Sequence, residues 1–137
     1  MRLKSLIALV LSVLLVTGAF WTVGCAPTQI IENITSQEAF SLIQDNKDNP
    51  NFVIIDVRTP KEFAQEHIEN AINIDYNSET FRDELDRLDK DNTYLIYCRS
   101  GARSGKALDM MKELNFREVY NLGGIIDWKA EGLPTVK

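Results

Sequence analysis

The chain of 137 residues has few cysteines and histidines, which are the usual protein ligands of zinc. It contains two cysteines, Cys25 and Cys98, and a single histidine, His67. These three residues lie far apart in the sequence, whereas protein zinc sites usually draw on closely spaced cysteine and histidine ligands. We therefore expect no bound metal ion and no other cofactor.

Basic residues are also fewer than acidic ones. The chain has 15 lysines and arginines against 20 aspartates and glutamates, which gives a formal net charge of −5. Proteins that bind nucleic acid generally carry a basic face. The balance therefore argues against nucleic acid as a partner, and any site for an anion must be local.

Long uncharged runs are absent except at the N-terminus. Arg2 and Lys4 precede an uncharged stretch at 6–23, which is followed by Gly24 and Cys25. This segment resembles a bacterial lipoprotein signal peptide, in which the cysteine after a small residue is acylated and becomes the new N-terminus. An uncleaved membrane anchor is the alternative, since 18 apolar residues can span a bilayer. Both interpretations place the domain outside the cytoplasm, anchored to a membrane, because the basic residues stay inside.

These features predict three segments: a signal peptide or anchor at 1–24, a lipidated Cys25 with a short tether at 25–33, and one domain at 34–137. Removing the leader takes away two basic residues and no acidic ones, so the net charge becomes −7. If Cys25 is lipidated, Cys98 is the one free thiol and no disulfide can form within the domain. We expect this small acidic domain to be a monomer.

Short apolar runs alternate with helical patterns along the rest of the chain. The predicted strands are 30–31, 52–55, 71–74, 93–97 and 119–121. Capping boxes predict helices after Thr35 and Thr59, Ser78 is the predicted cap of a third helix, a fourth covers 104–111, and a fifth follows Gly124. This alternation predicts an α/β domain with a largely parallel central sheet and helices on both faces.

One loop lies between the strand at 93–97 and the helix at 104–111. Its residues are Cys98, Arg99, Ser100, Gly101, Ala102 and Arg103. A thiol at a helix N-terminus between two guanidinium groups is favoured as the thiolate. Gly101 allows successive backbone N–H groups to turn inward and form a cradle for an anion. The loop therefore predicts that Cys98 is a nucleophile that attacks a sulfur or phosphorus centre without a separate general base. Arg99 and Arg103 are available to bind an oxyanion.

Several segments in a fixed order resemble the rhodanese family of sulfurtransferases, from about residue 34 to residue 134. They are Asp56-Val57-Arg58, Glu62-Phe63, His67-Ile68, Ala71-Ile72-Asn73-Ile74, the loop Cys98–Arg103, and Leu122-Gly123-Gly124 with Trp128. The family usually has glycine where this chain has Glu66. Its phosphatase-like members carry a cysteine loop one residue longer, so the short loop here favours sulfur transfer over a phosphatase or arsenate reductase.

The resemblance implies a persulfide mechanism. Cys98 would take a sulfane sulfur from thiosulfate or another small anionic donor and give it to an external thiol or cyanide. Loop residues 99–103 would bind the donor and the persulfide. Asp56, Arg58 and His67 would have structural roles. The alternative is a non-enzymatic persulfide carrier, since an enzyme and a carrier would both have an intact loop.

Overall fold

The computed structural model describes residue 24 and residues 27–137. Residues 1–23 of the predicted leader at 1–24, and Cys25, lie outside the described residues, so their roles stay predictions. Within the described part of the chain, no helix combines the length and apolar character needed to cross a membrane.

Five strands and five helices alternate along the described chain. The strands are β1 (Ile30–Asn33), β2 (Phe52–Asp56), β3 (Ile72–Asn73), β4 (Thr93–Cys98) and β5 (Glu118–Gly124). The helices are α1 (Ser36–Asp45), α2 (Pro60–Gln65), α3 (Phe81–Asp86), α4 (Ala102–Glu113) and α5 (Ile125–Ala130).

The strands form one sheet in the order β1-β5-β4-β2-β3, and every neighbouring pair is parallel. The predicted α/β class is confirmed. Strand β1 pairs with β5 from Ile30 onward, and the Gln29 side chain donates to the Phe116 carbonyl at 2.9 Å. The sheet therefore begins inside the segment that we assigned to the tether.

The central strand β4 is buried on both faces. Tyr94, Ile96 and Cys98 contact the apolar layer formed with α3 and α4, whereas Leu95 and Tyr97 contact the layer formed with α1 and α5. Alternate side chains of a strand point to opposite faces, so a fully buried strand needs a helix layer on each side. Cys98 thus lies on the α4 side, at the carboxyl end of the sheet.

Local signals account for two of the five helix starts among the described residues. Thr35 with Glu38 and Thr59 with Glu62 form complete capping boxes, and Pro60 occupies the first turn of α2. The predicted cap at Ser78 is wrong. Helix α3 begins at Phe81 with Thr80 as its N-cap, because the Ser78 hydroxyl accepts the Thr80 N–H within the preceding turn.

Candidate active site

Cys98 is the last residue of β4 and is 1% exposed. The chain turns at once into α4, which begins at Ala102 and not at 104 as predicted. The helix starts earlier because Gly101 caps it in the left-handed region, with φ of 102°. Only glycine adopts this conformation readily, so Gly101 closes the loop tightly over the sulfur.

Two backbone segments clamp the loop. A side chain at Gly124 is excluded, since a Cβ there would lie 2.6 Å from the Arg99 carbonyl oxygen and 2.9 Å from the Ser100 Cα. The Ile126 N–H donates to the same Arg99 carbonyl at 3.2 Å. The end of β5 and the start of α5 therefore determine where the loop lies.

The Cys98 sulfur makes hydrogen bonds with the loop and with α4. The Gly101 N–H donates to Sγ at 3.0 Å, and the Cys98 thiol donates to the Ser104 Oγ at 3.5 Å. Burial raises the pKa of the Cys98 thiol. The Ser104 hydroxyl and the N–H groups of Ser104, Gly101 and Ser100 outweigh that effect and hold the pKa below its ordinary value. The site therefore favours the thiolate.

Ser104 is a site residue that sequence reasoning missed. Its side chain is fully buried, and its Oγ also lies 3.3 Å from the Gly101 carbonyl and 3.2 Å from the Gly123 carbonyl. A hydroxyl has one proton, so it can donate to a carbonyl or to the sulfur but not fully to both. The signal that could have found it is a serine in the first turn of the helix that Gly101 caps, facing back toward the cysteine.

The two loop arginines have different surroundings. Arg103 donates to both carboxylate oxygens of Glu62, at 2.8 and 3.0 Å. These hydrogen bonds outweigh partial burial and lower the pKa of Glu62 to about 2. Arg99 is exposed and has no ion-pair partner among the described residues. Of the two guanidinium groups expected to bind an oxyanion, Arg99 is the one without a competing carboxylate.

A polar cavity of about 410 Å³ adjoins the loop at Arg99. It is lined by Arg58, Glu62, Gln65, Glu66, Arg99, Ile125, Ile126 and Lys129. Cys98 is not among the lining residues, and Arg99 is the residue of its loop that reaches the cavity. The cavity is large enough for a small anion with its hydration shell, and it lies beyond the carboxyl ends of the strands, where α/β sheets bind ligands.

A buried ion pair supports the wall of the cavity. Arg58 and Asp56 are 5% and 0% exposed and meet at 2.6 Å. Arg58 also donates to the Glu66 carbonyl at 2.6 Å. Glu66, where the family usually has glycine, has φ of −167°, an extended conformation open to any residue. The difference from the family pattern therefore causes no backbone strain.

His67 has the structural surroundings that we expected. Its Nδ1 is 2.9 Å from the Phe63 carbonyl at the end of α2, and its ring stacks on the Phe63 ring at 3.9 Å. The next residue, Ile68, donates its N–H to the Tyr97 hydroxyl at 3.0 Å. These contacts hold the segment after α2 against the sheet.

The fold and the buried, hydrogen-bonded cysteine define an α/β domain built around one activated thiol. Residues 39–131 match the Rhodanese-like domain family, and the chain belongs to that family. It is 39% identical over 97 residues to a sulfurtransferase of Allochromatium vinosum, covering 70% of this chain and 89% of that protein. It is 38% identical over 83 residues to the thiosulfate sulfurtransferase PspE of Escherichia coli, covering 61% and 77%.

Other relatives show how widely the domain is used. A tRNA uridine(34) hydroxylase of Pectobacterium atrosepticum is 38% identical over 98 residues, covering 64% of this chain and 27% of that protein. Among solved structures, a rhodanese-related protein of Thermoplasma volcanium superposes with a TM-score of 0.61 at 28% identity, covering 80% of this chain and 98% of that one. The sulfurtransferase relatives support sulfur transfer as the general activity.

Proposed function

We propose that the protein transfers a sulfane sulfur from thiosulfate, or a similar anionic donor, to an external thiol or cyanide through a persulfide on Cys98. The observation that carries this proposal is the set of hydrogen bonds around the Cys98 sulfur, beside Arg99, which has no ion-pair partner in the described part of the chain. Such a set stabilises a thiolate before reaction and a persulfide anion after it.

In the first step the Cys98 thiolate attacks the outer sulfur of thiosulfate. A new S–S bond forms to Cys98, and the bond between the two thiosulfate sulfurs breaks. Sulfite leaves with the bonding electron pair, so the total charge is unchanged and no oxidant is needed. Arg99 supports this step because it can hold the departing oxyanion close to the loop.

In the second step an acceptor takes the outer sulfur. A thiolate or cyanide attacks it, and the Cys98 thiolate leaves with the electron pair. Cys98 is the free cysteine among the described residues, so the domain offers no resolving thiol there and the acceptor comes from outside.

The proposal is tested by loading and turnover. We expect mass spectrometry after thiosulfate treatment to show one added sulfur atom on Cys98, and cyanide to remove it as thiocyanate. Cys98→Ser should abolish both, with a loss of roughly a thousandfold or more in turnover. Loading without turnover by cyanide or thiols would support the carrier alternative. Failure to load would contradict both functions.

We also propose that the domain is held on the outer side of a membrane by a lipid on Cys25. The basic residues before the uncharged stretch at 6–23 and the Gly24-Cys25 pair support this location. Its test is given in the Discussion.

A further inference from the structure

Ion pairs surround the cavity beside the Cys98 loop. Arg58 is paired with Asp56, and Glu62 is paired with Arg103. These two pairs join buried or half-buried groups through several hydrogen bonds each. They hold the wall of the cavity together and are poorly placed to exchange partners with a ligand.

The third pair is different. Glu66 follows α2, Lys129 lies in α5, and the Glu66 Oε1 accepts from the Lys129 Nζ across the cavity. The Lys129 side chain is 47% exposed and that of Glu66 is 32% exposed. Among the described residues, the Lys129 ammonium makes this one polar contact, whereas the Glu66 carboxylate is also held by Thr135 through its Oε2 at 3.3 Å. The lysine is therefore the mobile partner, and solvent can reach it.

We propose that Glu66 and Lys129 determine how strongly the Cys98 cavity attracts anionic sulfur donors. Lys129 supplies a second positive charge beside Arg99, and Glu66 competes with the donor for that charge. The proposal rests on the proposed function for the identity of the donor, but the electrostatic effect exists for any anion that approaches Cys98.

The charges of Glu66 and Lys129 affect how easily an anionic donor approaches the Cys98 thiolate. Both the Cys98 thiolate and thiosulfate are negative, so the cavity must offset their repulsion. With Glu66 ionised, Arg99 is the one lining cation without a carboxylate partner among the described residues. The hydrogen bond from Lys129 outweighs slight burial and holds the pKa of Glu66 below its ordinary value, so the carboxylate is charged at neutral pH. Removing the Glu66 charge leaves two cations of the cavity lining, Arg99 and Lys129, without a carboxylate partner among the described residues.

The test is a double-mutant cycle that removes the two charges singly and together and measures the KM for thiosulfate at low ionic strength. Glu66→Gln should lower the KM for thiosulfate about two- to fivefold, and Lys129→Gln should raise it by a similar factor. The double variant should return to within about twofold of the native protein, because both charges are then absent. All three effects should shrink in about 0.5 M salt, where the screening length is a few ångströms.

A second readout does not depend on sulfur transfer. Cys98 is alkylated by iodoacetate, which is an anion, and by iodoacetamide, which is neutral and of similar size. The ratio of the two rates should rise about twofold in Glu66→Gln and fall about twofold in Lys129→Gln. This ratio cancels any change in the reactivity of the thiolate itself.

Glu113→Gln is the matched control. Glu113 pairs with Arg82 at 3.3 Å on exposed side chains, at the far end of α4 from the loop. Its removal should leave the KM and the alkylation ratio unchanged. Equal alkylation ratios in the native protein, Glu66→Gln and Lys129→Gln would overturn the inference. If the ratios shift as expected but no sulfur is transferred, the proposed function fails and the electrostatic role of the pair stands.

Discussion

At the scale of single residues, the hydrogen-bond donors around the Cys98 sulfur decide how readily it forms a thiolate. Cys98 is buried, and burial by itself would suppress the thiolate. The Gly101 N–H and the Ser104 hydroxyl reverse that preference. Ser104 can serve in either protonation state, since its proton can turn from a carbonyl toward the sulfur when the thiolate forms.

Ser104→Ala should make Cys98 a weaker acid. The pKa of Cys98 is lowered in the native protein, so the thiolate persists down to a lower pH than for an ordinary cysteine. Without the hydroxyl, the pH profile of iodoacetamide alkylation should move to higher pH. The rate below the native pKa should fall about three- to tenfold, and the rate at high pH should change little.

Ser41→Ala is the control for this substitution. Ser41 is an exposed serine of α1 whose hydroxyl donates to the Gln37 carbonyl, far from the loop in sequence and on the other helix layer. An unshifted pH profile in Ser104→Ala would contradict the assigned role of the hydroxyl.

At the scale of elements, the loop is held by its neighbours as much as by its own sequence. Helix α4 starts at Ala102 with Gly101 as its N-cap, the end of β5 lies against Arg99 and Ser100, and the Arg103–Glu62 pair joins α4 to α2. The hydrogen-bond donors stay close to the Cys98 sulfur because these elements pack around the loop and hold its backbone in place.

Gly124→Ala should displace the loop. Its Cβ would lie 2.6 Å from the Arg99 carbonyl oxygen, and that oxygen belongs to the backbone, so the loop itself must shift. We expect a loss of about 1–3 kcal/mol in the free energy of unfolding and a tenfold or greater fall in Cys98 alkylation. Denaturant titration and alkylation kinetics measure the two effects.

Gly105→Ala provides the matched control. Gly105 lies within α4, and a Cβ there meets no heavy atom within 4 Å. Alanine is the better helix former by about 0.5–1 kcal/mol, so this variant should be as stable as the native protein or more stable. Equal behaviour of the two alanine variants would show that the close approach at Gly124 does not hold the loop.

The Glu62–Arg103 pair should make stability depend on pH. The folded pKa of Glu62 is about 2, below its ordinary value of 4.5. The stabilisation is therefore fully present above pH 4.5 and is lost as the pH falls toward 2. Glu62→Gln keeps a side chain suited to the capping box but removes the charge. Because both side chains are about a quarter exposed, we expect a loss of about 1 kcal/mol at pH 7.

Denaturant unfolding at pH 7 and pH 3 measures this dependence. The difference between the native protein and Glu62→Gln should be smaller at pH 3. A difference that stays constant with pH would mean that the carboxylate charge contributes nothing to the stability of α2 and α4.

At the scale of the whole molecule, one central strand organises both the core and the site. Strand β4 is buried from Tyr94 to Cys98, with a helix layer on each face, and the thiol comes at its carboxyl end. The domain is acidic overall, yet three basic residues (Arg58, Arg99 and Lys129) line the cavity beside the Cys98 loop against two acidic ones (Glu62 and Glu66). A local cationic site on an acidic protein suits a small anionic donor better than a polyanion.

Cys25→Ala should release the domain from the membrane if the predicted lipid anchors it. Cell fractionation should then find the native protein in the membrane fraction and the variant in the soluble extracytoplasmic fraction or as the unprocessed precursor. Mass spectrometry of the native N-terminus should show a diacylglyceryl or fully acylated Cys25. A native protein that retains residues 1–24 would instead support the uncleaved anchor.

The sequence by itself determined the α/β class, the parallel sheet and two capping boxes, and it predicted Cys98 as the reactive residue. These features depend on local patterns: apolar runs of strand length, threonine and glutamate three residues apart, and a cysteine between a strand and a glycine-containing loop. Only the tertiary structure decided that Arg103 faces Glu62, that Ser104 reaches the sulfur, that α3 begins at Phe81, and that Glu66 meets Lys129. The Arg103–Glu62 and Lys129–Glu66 pairs form because the packing of elements far apart in the chain brings these side chains together. The Ser104 contact and the start of α3 depend on which of several nearby partners the folded turn places within hydrogen-bond distance.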